Sequence, residues 1–229
     1  MSRLPGRRAQ ALIGALQLAP HPEGGWYREI FRGDGLVRPV GAVGSVGVVG
    51  SVGTAGAVGA VGAVGSVGSV GAVGAVGAVE LRGDSTGPAR HTLTSIDFLL
   101  LAGQCSAWHR VAADEAWHLL EGGPLRLWLV PPDLSRVLQV DLAPVDAQGH
   151  RPRHVVPAMW WQAAEPVPAL AATPTAGGGD DRVAAEDGFA YVGASVGPGF
   201  DFADFTFGRD DPALQLALQA LRPDTLRLL

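Results

Sequence analysis

The sequence predicts an all-β domain, a sandwich or barrel of short strands, with one short helix at each end. Three observations carry this. Apolar runs of 6–12 residues recur between Gly and Pro punctuation from residue 91 to residue 208. Helical apolar spacing is confined to the first twenty and the last twenty residues. Hydrophobic residues make up 47% and charged residues 17% of 229, which suits a globular chain with one ordinary core.

At the N-terminus, Ala9, Leu12, Ile13 and Leu16 fall at i, i+3, i+4 and i+7, the spacing of an amphipathic surface helix. Basic residues precede it and no small-residue cleavage site follows, so a surface helix is read first and a transit peptide second. PHPEGGWYRE follows, where Pro20, Pro22, Gly24 and Gly25 make a rigid turn that delivers Glu23, Tyr27 and Arg28. Glu23 or Arg28 could close the mouth of a barrel. The structural alternative, which is favoured, is a strand crossing to a second subunit, with Arg28 in a salt bridge and His21 satisfied within the turn.

From residue 40 to 79 glycine stands at every third position between Gly41 and Gly77. A period of three matches neither a helix nor a strand, so no face is consistently buried. There is no proline to extend the chain as in collagen. A low-complexity loop insertion within a single domain is expected, with a self-associating Val-rich segment as the alternative. A second loop is expected over 165–187, rich in Pro, Ala and Gly.

Between these tracts the strands follow in order. Residues 91–103 read as a strand, and 125–132 with 135–142 read as a hairpin turned by Pro131, Pro132 and Asp133. Residues 154–164, 189–200 and 202–208 continue the series. The last helix takes Asp210 or Asp211 as N-cap and Pro212 in its first turn, with Leu214, Leu218 and Leu221 on one face.

The chemistry concentrates in SAWHRVAADEAWHLLEGG, residues 106–123. If 107–111 and 115–120 are antiparallel strands joined by a short turn, His109, Val111 and Glu115 point to the same interior side, and His118 has the opposite parity. A carboxyl beside a neutral imidazole suits proton transfer in a ligand pocket; it equally suits a mutually satisfied buried pair. Trp108, Trp117, Trp128, Trp160 and Trp161 lie in strands. Trp160 and Trp161 are adjacent, so one of them is expected at a cavity or a subunit interface. Cys105 reads as a small buried hydrophobe. Asp201 and Asp204 read as turn caps or partners of arginines.

Two spacings resemble known motifs. Gly103, His109, Val111, Glu115 and Gly122 match the spacing of the first cupin motif, G-x5-H-x-H-x3-E-x6-G, with valine for the second histidine. PAMWWQAAEP resembles the second motif, with Gln162 where that motif has its metal histidine. Four blocks, at 16–32, 106–118, 155–164 and 193–205, look like the cupin-5 (DUF985) family. The resemblance implies a double-stranded β-helix, the cupin jelly-roll barrel, with short flanking helices, and a homodimer. It implies a barrel pocket for a sugar-like or planar small molecule without an established reaction, lined by His109, Glu115, Trp117, His118, Trp160 and Gln162. The alternative is a sugar isomerase or epimerase with His109 as base. That needs a tyrosine acid across the cavity, for which neither Tyr27 nor Tyr191 has an evident place. Any divalent metal would rest weakly on His109, Glu115 and Gln162. A net charge of −5 without a basic cluster argues against nucleic acid, and no apolar run suggests a membrane span; a cytoplasmic location is expected.

Overall fold

The computed structural model describes residues 6–38, 88–167 and 188–229. The expectations for 40–79 and for 168–187 lie outside those residues.

Helix α1, Arg7–Ala15, is followed by β1, Ala19–Pro20, and β2, Trp26–Arg32. Next come β3, Leu36–Val37; β4, Arg90–His91; β5, Thr94–Leu101; β6, Ser106–Val111; and β7, Asp114–Gly122. Then follow β8, Leu125–Val130; β9, Leu138–Leu142; β10, Arg153–Val156; β11, Trp161–Pro166; β12, Phe189–Gly197; and β13, Phe205–Phe207. Helix α2, Pro212–Leu221, leads into a final 3-10 segment, Pro223–Leu228.

Two antiparallel sheets face each other. One has the order β1-β2-β5-β12-β7-β10 and the other β13-β6-β11-β8-β9. This is the strand-rich sandwich that the sequence predicts. Period-two alternation sets each layer. In β5, Phe98 and Leu100 face inward, while Leu99 and Leu101 face outward under Ala9 and Leu12 of α1. In β8, Leu125, Leu127 and Leu129 face inward, while Trp128 and Val130 face outward under Leu214 and Leu218 of α2. Helix α2 starts where expected: Asp211 caps it by accepting from the Leu214 N–H. Leu221 does not join its buried face and is 44% exposed. The helix ends there.

Three further expectations are corrected. First, 107–111 and 115–120 are not a hydrogen-bonded pair: β6 belongs to one sheet and β7 to the other. The two-residue link between them is a corner of the sandwich, so their inward side chains face each other across the interior. Second, residues 154–164 form two strands, because Met159 adopts φ 66° in a turn held by Ala158 N–H to Asp114 and Met159 N–H to the Val111 carbonyl. Third, Glu165 and Pro166, expected to open a loop, are strand residues that pair with Arg126 and Leu125. The hairpin of β8 and β9 forms as expected, with Asp133 accepting from the Ser135 N–H.

Strand β2 carries a bulge at Ile30, between the pairs Glu29–Ile96 and Phe31–Ser95. The extra residue reverses the parity beyond it, so Tyr27, Glu29 and Arg32 all reach the inner side.

Candidate functional site

The inter-sheet space is filled at one end and hollow at the other. The filled end holds Leu100, Leu125, Leu127, Leu129, Leu142 and Val192. The hollow end is a cavity of about 460 Å³, within the usual range for ligand pockets of roughly 300–1,000 Å³. Inward positions of five strands line it: Tyr27 and Glu29 from β2, Ile96 and Phe98 from β5, His109 and Val111 from β6, Glu115 and Trp117 from β7, and Ala194 and Val196 from β12. His21 and Glu23 from the turn before β2, with Phe200, Asp201 and Phe202, complete the wall.

The polar groups form a short network. His109 is 2% exposed. Its Nδ1 lies 2.7 Å from the Ala107 carbonyl and 3.4 Å from Glu23 Oε2, so Nδ1 carries the proton of the neutral ring. Among the described residues Nε2 has no hydrogen-bond partner, and one ring face stacks on Phe205 at a centroid distance of 5.3 Å. Glu115 accepts from Gln162 Nε2 at 2.6 Å on one oxygen. Gln162 in turn accepts from Trp117 Nε1 at 3.0 Å, which fixes the orientation of its amide. Glu23 accepts from Ser106 Oγ at 2.7 Å.

Burial dominates the electrostatics. It pushes the Glu115 carboxyl up to about 7, against the pull of His109. It also raises Glu23 and lowers both His109 and His21 toward the neutral form. Near neutral pH the cavity therefore holds two neutral imidazoles and a carboxyl close to half ionised.

Of the residues singled out from the sequence, the fold brings His109, Glu115 and Trp117 to one wall. His118 points to the opposite face of β7, and Trp160 packs against the filled end. Gln162 is buried behind Glu115 and orients it without lining the cavity. Trp161 lies on the outer face beneath α2, with the Arg110 guanidinium 4.4 Å from its ring centroid. Neither member of the Trp160–Trp161 pair reaches the cavity.

Sequence reasoning favoured a structural role for this turn, with Glu23 at the barrel mouth as the alternative; Glu23 lines the cavity, and His21, satisfied within the turn as expected by accepting from the Glu23 N–H, lines it too. Their partners Ser106 and His109 lie more than eighty residues away, so no local pattern reveals them. The usable signal was Gly24, whose φ is 110° and whose Cβ, if present, would collide with the Cys105 carbonyl oxygen. That close approach delivers Glu23 to β6, where the Glu23 carbonyl accepts from the Ala107 N–H. Arg28 makes no salt bridge among the described residues; it donates to the Leu16 carbonyl and to Gln17. Tyr27 has a place after all, on the cavity wall, while Tyr191 donates to Asp97 on the outer face. Asp201 caps its turn through the Ala203 N–H, and Asp204 pairs with Arg90, as expected. Cys105 is half-buried and its thiol is pushed up by burial.

A family model described as the cupin superfamily (DUF985) matches residues 10–208. The chain belongs to this cupin family. Two solved structures share the fold over nearly the whole cupin chain. A hypothetical protein from Leishmania major is 23% identical, with a TM-score of 0.58 over 94% of this chain and 93% of its own. A protein from Shewanella oneidensis is 24% identical, with a TM-score of 0.56 over 96% of each chain. Oxalate decarboxylase from Bacillus subtilis is 14% identical at a TM-score of 0.38, over 60% of this chain and 31% of its own, too little to argue from. No curated protein matches. Among the described residues no helix is long and apolar enough to cross a membrane.

The metal centre that cupin motifs imply does not fit this cupin. Val111 offers no donor, and the Gln162 oxygen is committed to Trp117. His109 and Glu115 remain, two donors where a stable site uses three or four. Among the described residues no three His, Cys, Asp or Glu side chains group to hold a metal.

Proposed function

We propose that the hollow end of the barrel binds a small organic molecule, held by His109 and Glu115 against aromatic walls. One observation supports this above the others: a cavity of about 460 Å³ retains a 98% buried imidazole whose Nε2 has no hydrogen-bond partner among the described residues. Buried polar groups are ordinarily satisfied, and a group left open beside a cavity suits a ligand atom. The test is a thermal-shift and calorimetric screen of sugars, nucleotide sugars and planar aromatic molecules, repeated on His109→Ala. Hits that vanish in His109→Ala, with its melting temperature little changed, support the reading. Hits that persist in His109→Ala count against it.

A second reading, isomerisation of a sugar-like substrate, gains from the position of Tyr27. His109 Nε2 would take a proton from the carbon beside a carbonyl. The Tyr27 hydroxyl or the protonated Glu115 would give a proton to the carbonyl oxygen, leaving a neutral enol that collapses by the reverse transfers. Solvent deuterium entering that carbon, and absent in His109→Gln, is the expected sign. Turnover without exchange would argue against it.

The homodimer is likewise a proposal. From Arg28 to Arg32 the outer edge of β2 pairs with no strand among the described residues, and Ile30 and Phe31 are 56% and 51% exposed. An antiparallel second copy can pair with this edge and cover both apolar side chains. Light scattering should give twice the chain mass, reduced to one in Phe31→Arg.

A further inference from the structure

The interior of this cavity is acidic without an internal counter-cation. Glu23 and Glu115 are both buried in its wall. Each is held by a neutral donor on one oxygen, Ser106 for Glu23 and Gln162 for Glu115. The chain contains no lysine, and the one arginine among the lining residues is Arg32 at the mouth. Arg32 is already spent: it clasps Glu29 through two hydrogen bonds of 3.0 and 2.5 Å and donates to the Phe200 carbonyl. Asp201 adds a further acidic group at the rim. The titratable groups facing the two buried carboxyls are therefore His21 and His109, both kept neutral by burial.

A second feature is independent of charge. Tyr27, Phe98, Trp117, Phe200 and Phe202 put π faces and edges around the same space. Aromatic rings with carboxyls behind them are the surroundings that favour a positively charged organic group. A bare metal ion is served poorly by such walls, and its donors do not group here.

We propose that the cavity selects an organic cation, an ammonium carried on an apolar or aromatic body, which supplies the positive charge that Glu23 and Glu115 lack. This rests on the reading of the cavity as a ligand site and adds the charge class of the ligand. Binding draws Glu115 into its ionised form, so the protein releases a proton to solvent as the ammonium enters.

Three probes of one shape separate charge from shape: phenethylammonium, 2-phenylethanol and phenylacetate. Calorimetry at pH 7 on the full chain, in two buffers of different ionisation enthalpy, gives affinity and proton count together. The ammonium is expected to bind about tenfold or more tighter than the alcohol, with proton release, and the carboxylate not at all. In Glu115→Gln the preference for the ammonium over the alcohol and the proton release should both fall. Circular dichroism at the same pH establishes that the variant is folded, and Glu23→Gln serves as the second variant. Alcohol or carboxylate binding as tightly as the ammonium overturns the charge selection and leaves the ligand-site reading intact. Absence of binding by all three overturns the proposal, and the sugar and aromatic screen then decides the ligand-site reading separately.

Discussion

The two ends of the inter-sheet space use the same strands and the same alternation, yet one is packed and the other is not. In β7, β5 and β12 the inward positions at the filled end are Leu119, Leu100 and Val192. Further along those strands they become Glu115, Thr94 and Ala194. The change is from branched hydrocarbon to carboxyl, hydroxyl and small apolar groups. Interiors otherwise pack closely, and an unpaired buried carboxyl is costly, so the hollow end sacrifices stability that the filled end supplies. Such a sacrifice is expected where a site must stay open for something else.

The largest effects break the filled end. Leu127→Ala should cost about 2–5 kcal/mol by urea unfolding, because the fully buried leucine has no room to be replaced, while ligand affinity in the surviving fold stays unchanged. A loss of under about 1 kcal/mol would show that this end is not tightly packed. Next, Glu115→Gln should stabilise the protein above pH 7. The folded carboxyl titrates near 7 against 4.5 in the open chain, so its favourable contribution is complete below about 4.5 and is lost as pH rises through 7. The variant lacks that loss, which amounts to roughly 3 kcal/mol at pH 8. Unfolding midpoints at pH 5 and pH 8 read the difference; parallel pH profiles for the two proteins would contradict the assignment.

Smaller effects sharpen the contrast. Trp117→Phe keeps an aromatic wall but strands the Gln162 oxygen, so it should cost about 1–3 kcal/mol and loosen Glu115. No loss would mean that Gln162 finds another donor. Smallest of all, deleting residues 41–78 should shift the melting temperature little. Leu36–Val37, before the tract, already pairs with Arg90–His91, after it, and loop length enters only logarithmically. A large loss of stability would sink the insertion reading.

These cases show what was legible in the sequence. Helix ends were readable because capping and apolar spacing are local: Asp211, Pro212, Leu214 and Leu218 sit as their chemistry demands. The inward parity of His109 and Glu115 was readable for the same reason. The corner between β6 and β7 was not, since two residues can close either a hairpin or a change of sheet. Glu23 was read only as an alternative closure of the barrel mouth, because its contacts with Ser106 and His109 are made only by folding. Gln162 was read as a weak ligand because the sequence does not show that Trp117 takes its oxygen. The bulge at Ile30, which turns Arg32 to the cavity mouth, has no marker in REIFR at all.

The central claim is that Glu115 is buried in the cavity wall with His109 and, among the described residues, with no cation beside it. Carbon-13 NMR of the glutamate side-chain carboxyls, titrated from pH 3 to pH 9 and assigned by Glu115→Gln, reads it directly. A Glu115 midpoint near 7 is predicted. A midpoint at the ordinary value of 4.5 would place that carboxyl in water or against a positive charge, and contradict the account.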